Sequence, residues 1–498
     1  MRSILFLFVF TAHAAGQIKI CPLGGPVFPA PQRAGDSAAM KNAARNFTDS
    51  LHEIMYPANV SSATTVDPDL ISFAVQVYSA RDSKPLLEYY HTATSVRNNT
   101  LGVNRVDEGT VFRIGSCSKI WTVLLLLMET GDALFHEPVS EYFPEVREDV
   151  EELDGSLNEV DHARWKDVTI GDLVNQAAGL ERSYGLGDHS EAAVMMEQLG
   201  FPTLKVEEFP ECGLQPPCRR DRKTGGVYSS ARDMNALGAA ILKSELLSPA
   251  LTRRWLKPRA HTADPTFSVG APWEIFTLNE PRAINLYTKS GDFGSYSSMM
   301  GLSPDHEVGF TILAAGPRTH DVVWALGDLI STVVIPALDA AGKEEAAPRF
   351  TGTYASGNDN LTIITDDGPG LKVTEWRSNG KDMLESLNTL QWEGPYADID
   401  VRLYPTGLHS PAQPGQTSAS TVSFRSVVSY PVRVGAGPMT KTCLAWLAVD
   451  GQAYGSVGVD DFVFQIGEGG HAVQVSPRVL RTSLDRVRNR CPDHRIPA

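Results

Sequence analysis

The segment Gly115-Ser116-Cys117-Ser118-Lys119 stands directly before the apolar run Ile120-Trp121-Thr122-Val123-Leu124-Leu125-Leu126-Leu127-Met128. A run of that kind, closed by Glu129 and Gly131, specifies a buried helix. Residues i and i+3 share a helix face, so Ser116 Oγ and Lys119 Nζ are expected to meet at the helix start. Burial and the positive end of the helix dipole both disfavour an ammonium there and favour a neutral amine, a base able to take the serine proton. Ser-x-x-Lys alone also marks ordinary helix starts, so the rest of the chain has to decide.

The 498 residues exceed one ordinary domain, and 42% apolar with 8% aromatic content fits two globular domains. A formal charge of −15 argues against nucleic acid or an anionic membrane as partner. Arg2, the apolar stretch Ile4 to Phe10 and Ala12-His13-Ala14 read as a secretory leader over residues 1–16, so a secreted, extracellular protein is expected. No further run of apolar residues suggests a membrane span. Sequons at Asn46, Asn59, Asn98 and Asn360 would then be glycosylation acceptors. Among six cysteines, Cys212 and Cys218 are the easiest disulfide to propose, Cys117 is expected buried and free, and Cys21, Cys443 and Cys491 remain unassigned. No metal-ligand spacing or phosphate loop is present, so neither metal nor cofactor is expected.

Along the chain, Ser37 to Ile54 carries a helical apolar stripe, and Leu70 to Tyr78 with Leu86 to His91 read as antiparallel strands. Val322 to Ala341 reads as a helix and 342–348 as a linker. Beyond it, Phe350 to Tyr354, Leu361 to Thr365, Leu371 to Trp376, Val401 to Tyr404, Thr421 to Val428, Leu444 to Val449 and Phe462 to Gln465 are short strand-like runs. They suggest an antiparallel barrel or sandwich over 349–498. The expected class is α+β, with a first domain over 17–341.

Tyr287-Thr288-Lys289-Ser290-Gly291-Asp292 reads as a strand that presents a lysine and a hydroxyl to hold a substrate carboxylate or polarise a carbonyl. Gly291 would allow close backbone approach. Together with Phe112 to Lys119, Gly131 to Glu145 and Val168 to Leu180, this order of segments resembles the serine β-lactamase and penicillin-binding-protein superfamily, in its class C-like branch. That branch also holds esterases, D-amino-acid peptidases and secreted fungal β-lactamase-like proteins.

The resemblance implies a transpeptidase-like domain, an antiparallel sheet with flanking helices, followed by an appended β domain. It implies Ser116 as the acylated nucleophile, Lys119 as its base, Lys289 and Ser290 as substrate-orienting residues, and the N–H groups of Ser116 and Asp292 as an oxyanion hole. The family's Tyr-x-Asn motif has no match. Its nearest candidate, Tyr228-Ser229-Ser230, sits in Gly225 to Asp233, which resembles a later family element, and Tyr228 is as readily a core aromatic beside a helix cap. The helical subdomain therefore reads as shortened near 218–225. Three functions compete: a secreted serine hydrolase acting on an amide, ester or thioester in a small-molecule or peptide-like substrate; a catalytically impaired binding protein; and a secreted glycoprotein that binds a partner or lipid through its β domain.

Overall fold

Met40, Ala43, Phe47, Leu51 and Met55 recur at helical spacing and form the buried stripe of the helix Ala38–Met55. The computed structural model describes residues 18–57, 66–97, 102–143, 164–180, 192–205, 227–279, 282–391, 395–411, 420–431 and 437–487. The expected leader, Asn59, Asn98, Cys212, Cys218, Cys491 and the expected shortening near 218–225 lie outside them. The described chain divides into two compact units, one of residues 33–36 and 40–336, the other of 18–32, 37–39 and 337–487.

The first unit is built on an antiparallel sheet of eight strands. In spatial order they are Leu87–His91, Ser72–Ser79, Val308–Ala315, Tyr296–Ser303, Ile284–Phe293, Glu274–Leu278, Phe267–Val269 and Ala260–His261. The central strands Ser72–Ser79, Tyr296–Ser303 and Val308–Ala315 are buried almost throughout, because helices cover the sheet. The helix Ser118–Thr130 buries Ile120, Val123, Leu124 and Leu127 among Trp255, Trp273, Met300 and Leu313. Each such side chain contributes about 2 kcal/mol of burial free energy, which seats the start of this helix firmly. Gly131, at φ +67°, closes it with its N–H on Leu127 O.

The second unit is a closed barrel. Strands Gly352–Ser356, Asp359–Ile364, Leu371–Ser378, Asp400–Ser410, Ser420–Ser429, Asp461–Ile466, Ala472–Pro477 and Leu484–Arg486 pair antiparallel with their sequence neighbours, and the last pairs with the first. Of the two expected arrangements, the barrel is the one formed. Phe350, Tyr354, Trp376, Phe424, Phe462 and Phe464 are at most 1% exposed and meet edge to face, so side chains fill the interior.

Four expectations need correction here. Residues 342–348 are not a linker: after a π-helical turn, Ile330–Val334, the helix Ile335–Phe350 runs straight through them. The wider turn precedes Pro336, which has no N–H to give the preceding turn. Glu344 is fixed because its carboxylate accepts from Ser37 Oγ at 2.8 Å, Ala38 N at 3.0 Å and Ala39 N at 3.1 Å, capping the helix Ala38–Met55.

The first domain also does not hold all of residues 17–341. Val27 and Phe28 lie in the barrel's core, and Cys21 is disulfide-bonded to Cys443. Leu444 to Val449 is not a strand but the short helix Ala445–Ala448, since Leu444-Ala445-Trp446-Leu447-Ala448 has no two-residue alternation. The helical run Thr319–Phe350 is also long and apolar enough to cross a membrane by length and composition, with mean hydropathy 1.6, contrary to the expectation from sequence. Its Val322, Val323, Leu326, Ile330, Val334, Leu338 and Phe350 are nonetheless buried in protein, as in a core helix.

Arg402, 2% exposed, is the charged centre of the barrel wall, with its guanidinium on Asp400 at 2.6 Å and on both oxygens of Asp366 at 2.7 Å. Its hydrogen bonds hold the Asp366 carboxyl well below the usual carboxylate range. The stabilisation this gives is present above the ordinary carboxylate pKa of about 4 and is lost as pH falls towards the folded-state value. Arg402→Leu is expected to cost about 3 kcal/mol at neutral pH, the lower end for breaking a buried pair, because Lys372 still reaches Asp400 at 3.0 Å. Thermal melts from pH 7 to pH 2 check this: the gap between wild type and variant should narrow on acidification, and a constant gap would contradict it.

Candidate active site

Ser116 lies in the 3₁₀ turn Gly115–Cys117 that leads into the helix Ser118–Thr130. Lys119 Nζ donates to Ser116 Oγ at 2.7 Å, so the i and i+3 pair expected from the sequence is formed. The turn rests directly on the strand Ile284–Phe293. A Cβ on Gly291 would stand 2.3 Å from Ile114 O, 2.6 Å from Ser116 N and 2.8 Å from Cys117 N. A Cβ on Gly115, at φ +48°, would stand 2.7 Å from Asp292 N. Two glycines thus let the backbone at Ser116 and the backbone at Asp292 pack in direct contact.

Cys117 and Ser298 lock this contact. Cys117 is fully buried and free, and its Sγ donates to Lys289 O at 2.9 Å. Burial pushes its thiol up to about 11, which makes it a packing group rather than a thiolate. Ser298 Oγ donates to Ile114 O at 2.7 Å and lies 3.1 Å from Cys117 Sγ.

Lys289 is placed differently from expectation. It is 3% exposed, and its ammonium forms an ion pair with Glu274 on the neighbouring strand and donates to Ser290 O at 2.9 Å. The other oxygen of Glu274 accepts from Ser290 N at 2.8 Å. One carboxylate therefore neutralises the lysine and fixes the backbone beside it. Asp292 turns its side chain to Ser297 Oγ at 2.6 Å and His320 Nδ1 at 3.1 Å.

Tyr228 is not a core aromatic. It is 54% exposed, on the strand Tyr228–Ser230 opposite Arg113, and its hydroxyl accepts from Arg113 Nε at 2.8 Å. Its described polar partner is thus Arg113 rather than Ser116 or Lys119, which removes the support for Tyr228 as the family's acid/base. The helix cap beside it is real: Ser230 Oγ accepts from Asp233 N at 3.2 Å at the head of the helix Ala231–Leu242.

Glu274, Ser298 and Arg113 went unnoticed in the sequence. Only Glu274 had a usable signal, an acid in the apolar alternation Trp273 to Phe276 one strand away from Lys289. Of the sequons, Asn46 is exposed on its helix, whereas Asn360 Nδ2 donates to Glu375 Oε1 at 3.1 Å. Among the described residues no group of three or more His, Cys, Asp or Glu could hold a metal ion.

The profile of the Beta-lactamase family matches residues 72–207 and 201–329, and that of the Beta-lactamase-like-like C-terminal domain matches 342–488. A Beta-lactamase-like protein of Arthroderma benhamiae is 23% identical over 610 aligned positions, covering 97% of this chain and 99% of that protein. The span exceeds the 498 residues here, so that relative carries stretches this chain lacks. A Phoma protein described as a probable hydrolase is 22% identical over 64% of this chain and 67% of its own length. A class C β-lactamase structure from Rhodobacter sphaeroides is 18% identical, covers 59% of this chain and 99% of its own, and superposes with a TM-score of 0.36. With its eight-stranded sheet, the nucleophile-like turn seated on it and a family profile spanning more than half its length, this chain belongs to the β-lactamase family of hydrolases.

Proposed function

We propose that the protein is a secreted serine hydrolase that acts through an acyl-enzyme on an amide, ester or thioester. The observation that carries this reading is the 2.7 Å contact between Lys119 Nζ and Ser116 Oγ at a turn pinned by Gly115 and Gly291. The amine of Lys119 takes the proton of Ser116 as Oγ attacks the substrate carbonyl. The carbonyl oxygen, as it gains charge, is met by the N–H groups of Ser116 and Asp292. Collapse of the tetrahedral adduct expels the leaving group, which recovers the proton from Lys119. Water then attacks the ester on Ser116 by the same route and returns the free serine. Secretion is supported by the leader-like start of the sequence and by the disulfide Cys21–Cys443, which suits an oxidising compartment.

A fluorophosphonate probe followed by peptide mass mapping tests the proposal. The expected result is one label on Ser116 that disappears in Ser116→Ala. A folded protein that takes no label would instead favour ligand binding without turnover, a reading supported by the engagement of Tyr228 with Arg113.

A further inference from the structure

Residues 289, 291 and 293 project to one face of the strand Ile284–Phe293, about 6.7 Å apart in succession. Gly291 lies under the Ser116 turn, so this face carries one cation on each side of the nucleophile. On one side Lys289 is matched by Glu274. On the other, Phe293 meets Arg113, whose Cζ lies 5.0 Å from the Phe293 ring centre, 5.4 Å from that of Tyr228 and 6.0 Å from that of Tyr296.

Arg113 spends its Nε–H on the Tyr228 hydroxyl, which leaves the four N–H groups of its terminal nitrogens. Among the described residues no carboxylate pairs with it. Asp292, next to Phe293 in sequence, turns its carboxylate to Ser297 and His320.

We infer that Arg113, framed by Tyr228, Phe293 and Tyr296, is the subsite that recognises a carboxylate next to an aromatic or apolar group on the substrate. The inference rests on the reading of Ser116 as the nucleophile. A second carboxylate brought to Lys289 would place two anions on one buried ammonium, with the cost of desolvating the newcomer unrepaid. Arg113 offers a planar fork for a carboxylate, already oriented by three rings, and those rings are a flat apolar wall for the group that bears it. The expected role of Lys289 in holding a substrate carboxylate thus passes to Arg113, while Lys289 and Glu274 shape the strand that faces the carbonyl.

The test compares binding of phenylacetate and phenylacetamide to the full chain by ligand-observed NMR titration, which needs no turnover. Wild type and Ser116→Ala should both bind phenylacetate at least tenfold more tightly than the amide, and Arg113→Leu should bring the two within twofold. Equal binding by wild type, or a preference that survives in Arg113→Leu, overturns the inference. Should Arg113→Leu fail to fold, Arg113→Lys takes its place: it keeps the charge but not the fork, and retention of the full preference would likewise overturn it. Fluorophosphonate labelling of Ser116 is scored separately, so failure of the hydrolase reading shows as a missing label and failure of this one as a missing preference.

Discussion

Lys119→Met will slow acylation of Ser116 about a thousandfold, within the range of 10² to 10⁴ that a positioned general base supplies. The methionine preserves length and apolar volume, so the variant keeps the packing of the helix start and loses the amine alone. Lys119 contacts Ser116 Oγ at 2.7 Å, and no other described side chain is seen on that hydroxyl to replace it. The measurement is the second-order rate of fluorophosphonate labelling, with a thermal melt beside it to show that the fold persists. A variant that labels within tenfold of wild type would mean that Lys119 merely anchors the serine, and that the base lies elsewhere.

What the sequence disclosed divides by the range of the interactions involved. Ser116 and Lys119 were legible because one helical turn sets their separation, and a barrel strand such as Asp359–Ile364 because Leu361 and Ile363 alternate with Asn360 and Thr362. The strands Ala472–Pro477 and Leu484–Arg486 were missed: they are short and end at Pro477 and Arg486, and their identity as strands comes from barrel closure. The helix through 342–348 was hidden for a similar reason. Gly342, two glutamates and Pro348 read as a breaker cluster, whereas Glu344 has a partner some three hundred residues away at the head of another helix.

The same division holds within the site. Gly291 and Asp292 were found from a short motif and Cys117 from its place in one, but the Glu274 clamp on Lys289 depends on strand pairing across 15 residues. The hold of Arg113 on Tyr228 spans 115 residues. A tyrosine near the expected interval was therefore open to a catalytic reading until its partner was visible.

Gly291→Ala is expected to be the most damaging conservative change in the first unit, because one methyl group has nowhere to go. All three atoms it would meet are backbone, Ile114 O at 2.3 Å, Ser116 N at 2.6 Å and Cys117 N at 2.8 Å, so no side chain can rotate aside. The turn resists retreat as well: Cys117 Sγ holds it to Lys289 O, Ser298 Oγ holds Ile114 O, and Ile120, Val123 and Leu124 anchor the helix behind it. Overpacking of this kind costs about 3 kcal/mol. Displacement of the turn by roughly 1 Å is enough to lower acylation about a hundredfold. Both losses follow from one clash, so a melt and a labelling rate should fall together, in contrast to Lys119→Met, where the rate falls and the melt holds. If Gly291→Ala labels at the wild-type rate, the serine turn does not depend on this close contact, and the two N–H groups that depend on it for their placement cannot be the oxyanion hole.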